Sequence, residues 1–231
     1  MIISVHIPKT AGTSFLATLE QHFGDTLLKD YDGYGLRFVR ETSSLYEKYA
    51  ANLKASIRLA EKDLTRFECI HGHFFPIKYL LMGYRKQAKF VTWIRNPVDR
   101  VLSHYHHCKR NYDPKTSPIF HRKVVEENWT IERFCLGPEL RNHYWEKLWG
   151  FPLEYFDFVG ITEFYDEDIA YFARHILNSD TTATRLNVGE GGGKPYSIDE
   201  SFRRDIESFH EKDMALYQRA LEMRQTKRAS R

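Results

Sequence analysis

The sequence predicts an α/β protein, a mainly parallel sheet with helices on both faces, and three observations lead there. Short strand-like runs occur at 2–7, which is rich in β-branched residues, at 67–74 (FECIHGHF), at 90–94 and in FDFVGIT, and each has the length of a buried strand. Helical patterns separate these runs, the alternation expected of a parallel sheet. The segments richest in chemistry, 8–14, 71–73 and 95–103, each follow a predicted strand, and ligands of such sheets sit beyond the strands' carboxyl ends.

Taken in order, the first strand covers 2–7. Phe15, Leu16, Leu19 and Phe23 then fall on one helical face. A second helix is predicted from about Leu45 to Leu64, with Tyr46, Tyr49, Leu53 and Ile57 as its stripe. FECIHGHF gives a short strand ending in a histidine-bearing turn. KFVTWIRNPVDRVLSHY is the best-specified unit. Its strand is followed by Asn96 as N-cap, Pro97 at the first helical position and Asp99 in the first turn, where negative charge is favoured. Val98, Val101, Leu102 and Tyr105 mark the buried face of that helix. Less regular helical sequence runs from Ile119 to Trp149, and FDFVGIT is the last strand. Ile169, Phe172, Ala173, Ile176 and Leu177 form another helical face, and further helices are expected at 202–209 and 214–221. The basic tail RQTKRASR, from about 225 to 231, is expected to be disordered.

A length of 231 residues, with no repeat and no linker, predicts one domain over 1–231. A net charge of +3 suits an anionic ligand but lacks the strong basic bias of a nucleic-acid binder. Cys69, Cys108 and Cys135 are odd in number and widely spaced, which argues against a disulfide framework and for a reducing, cytoplasmic setting. No stretch has the apolar length of a membrane span.

The opening stretch HIPKTAGTSF has the build of an anion-binding loop between strand and helix. Backbone N–H groups and the helix dipole favour an anion there. Lys9 adds a mobile positive charge, Thr10, Thr13 and Ser14 add hydroxyls, and Gly12 lets the backbone approach closely. The competing reading is a tight turn whose hydroxyls merely cap a helix. The common triphosphatase loop, G-x-x-x-x-G-K-[ST], is not matched, because the lysine precedes the glycine and the first glycine is missing. Nor does the strand at 90–94 end in the aspartate that helps hold magnesium. It ends in Arg95, whose forked donors suit a second anion, with Ser103 about two helical turns further on. Two anion sites and no magnesium ligand argue against an ATP-driven reaction.

HIPKTAGTSF resembles the 5′-phosphosulfate loop of sulfotransferases, enzymes that use 3′-phosphoadenosine 5′-phosphosulfate (PAPS) and release adenosine 3′,5′-bisphosphate. In the carbohydrate branch, typified by the heparan sulfate and uronyl 2-O-sulfotransferases, that loop commonly reads H-I-x-K-T-G-G-T-[ST]. IRNPVDRVLSHYHH resembles the same family's 3′-phosphate motif, an arginine with a serine eight residues later. FDFVGITEFYDEDI and DMALYQRAL resemble later stretches of that branch. The resemblance implies a sulfotransferase fold with a P-loop-like sheet. It implies that Lys9, Thr10, Ala11, Gly12, Thr13 and Ser14 hold the 5′-phosphosulfate, and that Arg95 and Ser103 hold the 3′-phosphate. Two departures stand out. Ala11 replaces a frequent glycine, and NVGEGGGKPYS lacks the R-K-G of cytosolic sulfotransferases, leaving Lys194 as the substitute.

Sulfuryl transfer to a hydroxyl needs a base near neutral pH, and histidine suits that task. IHGHF resembles the His-Gly-His stretch of the uronyl 2-O-sulfotransferases. The resemblance makes His73 the base, His71 a supporting or acceptor-binding residue and Lys9 the stabiliser of charge on the leaving phosphate. His6 is expected to be structural. His104, His107 and Cys108 could share a helical face as zinc ligands, but zinc usually takes three or four protein ligands and no second cluster has matching spacing, so no metal is expected. Arg37, Arg40, Lys109, Arg110, Arg122 and Lys123 are candidates to meet an acidic glycan, and Tyr144, Trp145 and Trp149 to stack on its rings. The alternatives are a P-loop kinase or nucleotide hydrolase, and a non-catalytic nucleotide-binding protein of the same fold.

Overall fold

The computed structural model describes residues 1–31, 44–60, 64–85, 87–179 and 196–229. Its centre is a five-stranded, wholly parallel sheet of β1 (Ile2–Val5), β2 (Leu27–Asp30), β3 (Cys69–Gly72), β4 (Lys89–Ile94) and β5 (Phe158–Ile161), ordered β2-β3-β1-β4-β5. The predicted α/β class is therefore what forms. β1 lies in the middle, with Ile2 opposite Cys69 of β3 and Lys89 of β4. The carboxyl ends of β3, β1 and β4, which carry the three chemistry-bearing segments, consequently lie side by side.

Side chains alternate across the sheet. On one face Ile3, Val5, Ile70, Phe90 and Ile94 pack under α2 (Leu45–Ala60), α3 (Leu80–Arg85), α7 (His143–Lys147) and α10 (Glu211–Ala229). On the other, Ile2, Cys69, Val91, Trp93 and Phe158 pack under α1 (Gly12–Phe23) and α8 (Tyr165–Phe172). A third apolar cluster joins α4 (Pro97–Arg110) to α5 (Ile119–Glu126), α6 (Ile131–Cys135) and α9 (Glu200–Phe209).

Local signals act as expected in α4, where the Asn96 carboxamide accepts from the Val98 and Asp99 N–H groups. Three expectations change. β2 is an additional strand, paired only with β3. α2 stops at Ala60 rather than near Leu64. α10 runs on to Ala229, through most of the segment expected to be a disordered tail. The physical reason lies partly in Arg224, which donates to Asp168 (2.8 Å) and Glu167 (2.9 Å) of α8 and so ties the end of α10 down. No helix among the described residues is long and apolar enough to cross a membrane.

Candidate active site

β1 leaves the sheet at Val5, and residues 6–11 turn into α1. The turn has an unusual backbone: Lys9 (φ 72°) and Ala11 (φ 62°, ψ 22°) both adopt the left-handed conformation. An L-residue pays roughly 1–2 kcal/mol there, and such strain gathers where a loop is shaped for a ligand. Ala11 thus occupies a position at which glycine would be unstrained. No side chain caps α1, so the turn presents the positive end of the helix at the loop. Thr10 is fully buried and donates its hydroxyl to the Ile7 carbonyl at 2.8 Å; its side chain shapes the loop rather than reaching out of it. Ser14 is also buried, whereas Thr13 is exposed.

Gly12 is required for packing. A Cβ at this position would lie 1.8 Å from the His6 Nε2. The His6 ring therefore lies directly over the start of α1. Its centroid is 5.1 Å from that of His71, nearly parallel, and 4.6 Å from that of His73. The sequence placed His6 as a structural residue; the fold makes it the centre of a three-imidazole cluster. Tyr31 closes one side, edge-on to His73 at 4.9 Å, with its hydroxyl 3.4 Å from the His6 Nδ1.

The two histidines of the β3 turn are not equivalent. His71 is wholly buried, with Nδ1 2.7 Å from the Ser4 hydroxyl. It can support the site but offers no surface to an acceptor in this conformation. His73 is partly exposed, and its backbone N–H donates to the Asp30 carbonyl at 3.1 Å. Its Nε2 is buried and has no hydrogen-bond partner among the described residues, so an acceptor reaches it only after the side chain or its cover shifts. Gly72 between them is also obligatory, since a Cβ there would meet the Asp30 carbonyl oxygen at 1.9 Å. Burial, and then the charge of Lys147, brings the His73 pKa down to about 4; burial, then His73 and Lys29, brings His71 to about 3. Burial, then His71, His73, Lys147 and Lys9, lower His6 as well. All three rings are therefore neutral near pH 7, the form in which an imidazole accepts a proton.

Across the sheet, β4 ends at Ile94 and Arg95 follows. The Tyr144 hydroxyl clasps the Arg95 backbone, accepting from its N–H at 3.0 Å and donating to its carbonyl at 2.8 Å. Tyr144 is fully buried, which corrects its expected role as a sugar-stacking ring. Arg95 is half-buried and Ser103, on α4, is 7% exposed. Lys9 feels its own burial first and then the charges of Arg110 and Arg95, all of which lower its pKa. Those three cations thus share one neighbourhood; among the described residues no carboxylate acts on Lys9, while Arg95 also acts on Glu163. Glu163, two residues beyond β5, accepts the Asn96 N–H at 2.8 Å. Asp30, at the end of β2, is held by a buried ion pair to Lys78 and by the Tyr79 hydroxyl, so it is not presented as a metal ligand.

Two participants escaped the sequence reading. Lys147 of α7 has its ammonium 4.9 Å from the Phe75 ring centroid, and its charge acts on both His6 and His73. Burial lowers its own pKa to about 8. Arg110, expected from the sequence as an acceptor contact, also acts on Lys9. Neither has a local signal, because each reaches the site only when α7 and α4 pack. Lys194, Arg37 and Arg40 lie outside the described residues. Trp149 packs edge-on against Tyr49 at 4.7 Å, while Trp145 has the Lys212 ammonium 4.0 Å above its ring and lines an open cleft of about 480 Å³ with Lys48 and Arg141.

In comparisons with known proteins, no curated protein matches the sequence. Among solved structures, a sulfotransferase from Alicyclobacillus acidocaldarius is similar at 18% identity and a TM-score of 0.47, over 93% of this chain and 92% of that one. The mouse sulfotransferase SULT7A1 complexed with PAP is similar at 14% identity and a TM-score of 0.35, over 90% of this chain and 62% of that one. Both likenesses are distant, and the assignment rests on sequence. The profile described as "Sulfotransferase family" matches residues 1–178, from β1 through the turn that ends α8. A profile spanning most of the chain, over the three adjacent strand ends just described, is decisive: the chain belongs to the sulfotransferase family.

Proposed function

We propose that the protein transfers a sulfuryl group from PAPS to a hydroxyl of an acidic carbohydrate, with His73 as general base. The observation that carries this reading is the gathering of Lys9, Arg95 and Arg110 beside the start of α1, with Glu163 near Arg95 but, among the described residues, no carboxylate acting on Lys9. Like charges held together in a half-buried site call for a polyanion. A donor with one phosphate at each end of its ribose fits, since Lys9 and the α1 start face one charge and Arg95 with Ser103 a second. Arg95 in place of an aspartate at the end of β4 does not fit a magnesium nucleotide.

PAPS would supply the sulfuryl group and a phosphate that gains negative charge as that group departs. Lys9 and the first-turn amides of α1 stabilise that charge, which is electrostatic work done by a prearranged site. His73 takes the acceptor's proton at Nε2. His71 and His6 fix the ring and keep water from it, and Lys147 keeps the cluster neutral by disfavouring protonation. After transfer the proton leaves His73 for solvent, and the neutral base is restored. The cleft bearing Trp145 offers a sugar polar side chains of both signs, Arg141 and Lys212 beside Glu211 and a Lys48–Glu146 ion pair, and the acceptor class otherwise rests on the family resemblance. Three buried cysteines, none bridged, support a reducing compartment such as the cytoplasm.

Thermal unfolding with adenosine 3′,5′-bisphosphate, with ADP, and with ATP plus magnesium tests the donor assignment. A ligand at ~100 times its dissociation constant stabilises the fold by about 2.7 kcal/mol, which for a chain of this size raises Tm by roughly 5–10 °C. Stabilisation by the bisphosphate, without magnesium, is expected. Stabilisation that requires ATP and magnesium would overturn the reading in favour of a kinase.

A further inference from the structure

The fold completes a cluster that the sequence left at two neighbouring histidines and a cysteine. His104 and Cys108 stand one turn apart on α4. His121, from α5, joins them, so that one nitrogen of each imidazole and the Cys108 Sγ lie within 4.8 Å of one another. We propose that His104, Cys108 and His121 form a binding site for a zinc-class divalent ion, separate from the histidines of the sulfuryl-transfer site.

Two imidazoles and a thiolate are a donor set zinc favours, and three protein ligands leave its fourth tetrahedral position to water. Bonds of about 2.0 Å to nitrogen and 2.3 Å to sulfur place tetrahedral ligands about 3.5 Å apart. The observed spacing therefore closes on an ion by side-chain rotation alone. The surroundings are those of a ligand site rather than a solvated helix face. Cys108 has no exposure. The His104 ring lies 5.9 Å from Phe120 and 5.5 Å from Phe134, which form an apolar wall, and its Nδ1 is buried with no hydrogen-bond partner among the described residues. An unpartnered buried nitrogen is costly unless something binds it. His107 sits 5.8 Å from His121, centroid to centroid, with its Nδ1 2.7 Å from the Asn111 carboxamide nitrogen.

The opposing influences are cations: Arg100 acts on His104, Lys9 on His104, His107 and His121, and Arg110 on His107. Binding answers them chemically: the ion takes the Cys108 sulfur as thiolate, the thiol proton passes to solvent, and the bound unit carries one positive charge rather than two. Neutral imidazoles bind without releasing a proton.

The test uses the whole reduced chain, stripped with a chelator and titrated with Co²⁺ alone as a coloured stand-in for zinc. One ion per chain is expected, with a thiolate-to-cobalt charge-transfer band that zinc abolishes by displacement. Cys108→Ser should remove the band, His121→Ala should weaken binding by at least about tenfold, equivalent to ~1.4 kcal/mol, and Cys135→Ser should change neither. His121 is partly exposed on a helix surface, so its truncation remains informative if the buried Cys108 variant unfolds. No charge-transfer band, or one whose affinity survives His121→Ala, would overturn the proposal.

Discussion

Lowering the pH should destabilise this protein from about pH 6.5 downward, and His71 alone accounts for a measurable share. Its side chain has no exposure, its Nδ1 is engaged with Ser4, and burial holds its pKa at about 3. In the unfolded chain the same imidazole titrates near 6.5. Between those values the unfolded state binds a proton that the folded state refuses, so stability falls as pH falls, by about 1.4 kcal/mol per unit. Above pH 6.5 the contribution is complete. From pH 7.5 to 5.0 it costs about 2 kcal/mol, since only the one and a half units below 6.5 count. His71→Gln keeps a polar group beside Ser4 but cannot titrate. Urea unfolding of both proteins at pH 7.5 and 5.0 measures the effect as a difference of differences, in which any general weakening of the variant cancels. The variant should lose about 2 kcal/mol less than the parent. Equal losses would mean that His71 is protonated in the native site, and the neutral cluster would have to be abandoned.

Other expectations concern the transfer site. Arg95→Ala should weaken adenosine 3′,5′-bisphosphate by about 1.5–3 kcal/mol, the worth of a hydrogen bond to a charged group, and leave adenosine 5′-phosphosulfate, which lacks the 3′-phosphate, almost unaffected; calorimetric titration of both ligands separates the cases. His73→Ala should lower kcat by roughly 10²–10⁴ while the bisphosphate binds as before, and turnover within threefold of the parent would place the base elsewhere. Gly12→Ala should destabilise the fold by about 1–3 kcal/mol through overpacking against His6. Adding His6→Ala should restore most of that loss, so simple additivity in the double variant would refute the contact.

Much of this was legible in sequence because the signals were local. Asn96, Pro97 and Asp99 specify the start of α4 by themselves, and Phe90–Ile94 needs no partner to be read as a strand. The Lys9–Ser14 loop, Arg95 and the His71–Gly72–His73 turn were each recognisable for the same reason. β2 was not, because its four residues LLKD include an exposed lysine and a buried aspartate. The Lys78 ammonium and the Tyr79 hydroxyl, 48 and 49 positions later, make that aspartate tolerable there. Lys147, Arg110 and His121 are likewise ordinary until helices distant in sequence are packed against one another. The same holds for His6: its role depends on the absence of a methyl group at Gly12, a relation between two residues that no periodicity reveals.

The strand order carries a consequence for how the chain acquires this shape. Ile2 in the central strand finds its neighbours in Cys69 and Lys89, so the middle of the sheet waits for segments 67 and 87 positions downstream. On a ribosome adding ~5–20 residues per second, the apolar β1 remains without its second neighbour for several seconds at least. During that interval Ile2, Ile3 and Val5 present an open edge to other nascent chains, a situation that favours association before folding. Holdase chaperones that mask short apolar strands should therefore raise the soluble yield of this protein more than any change at its surface.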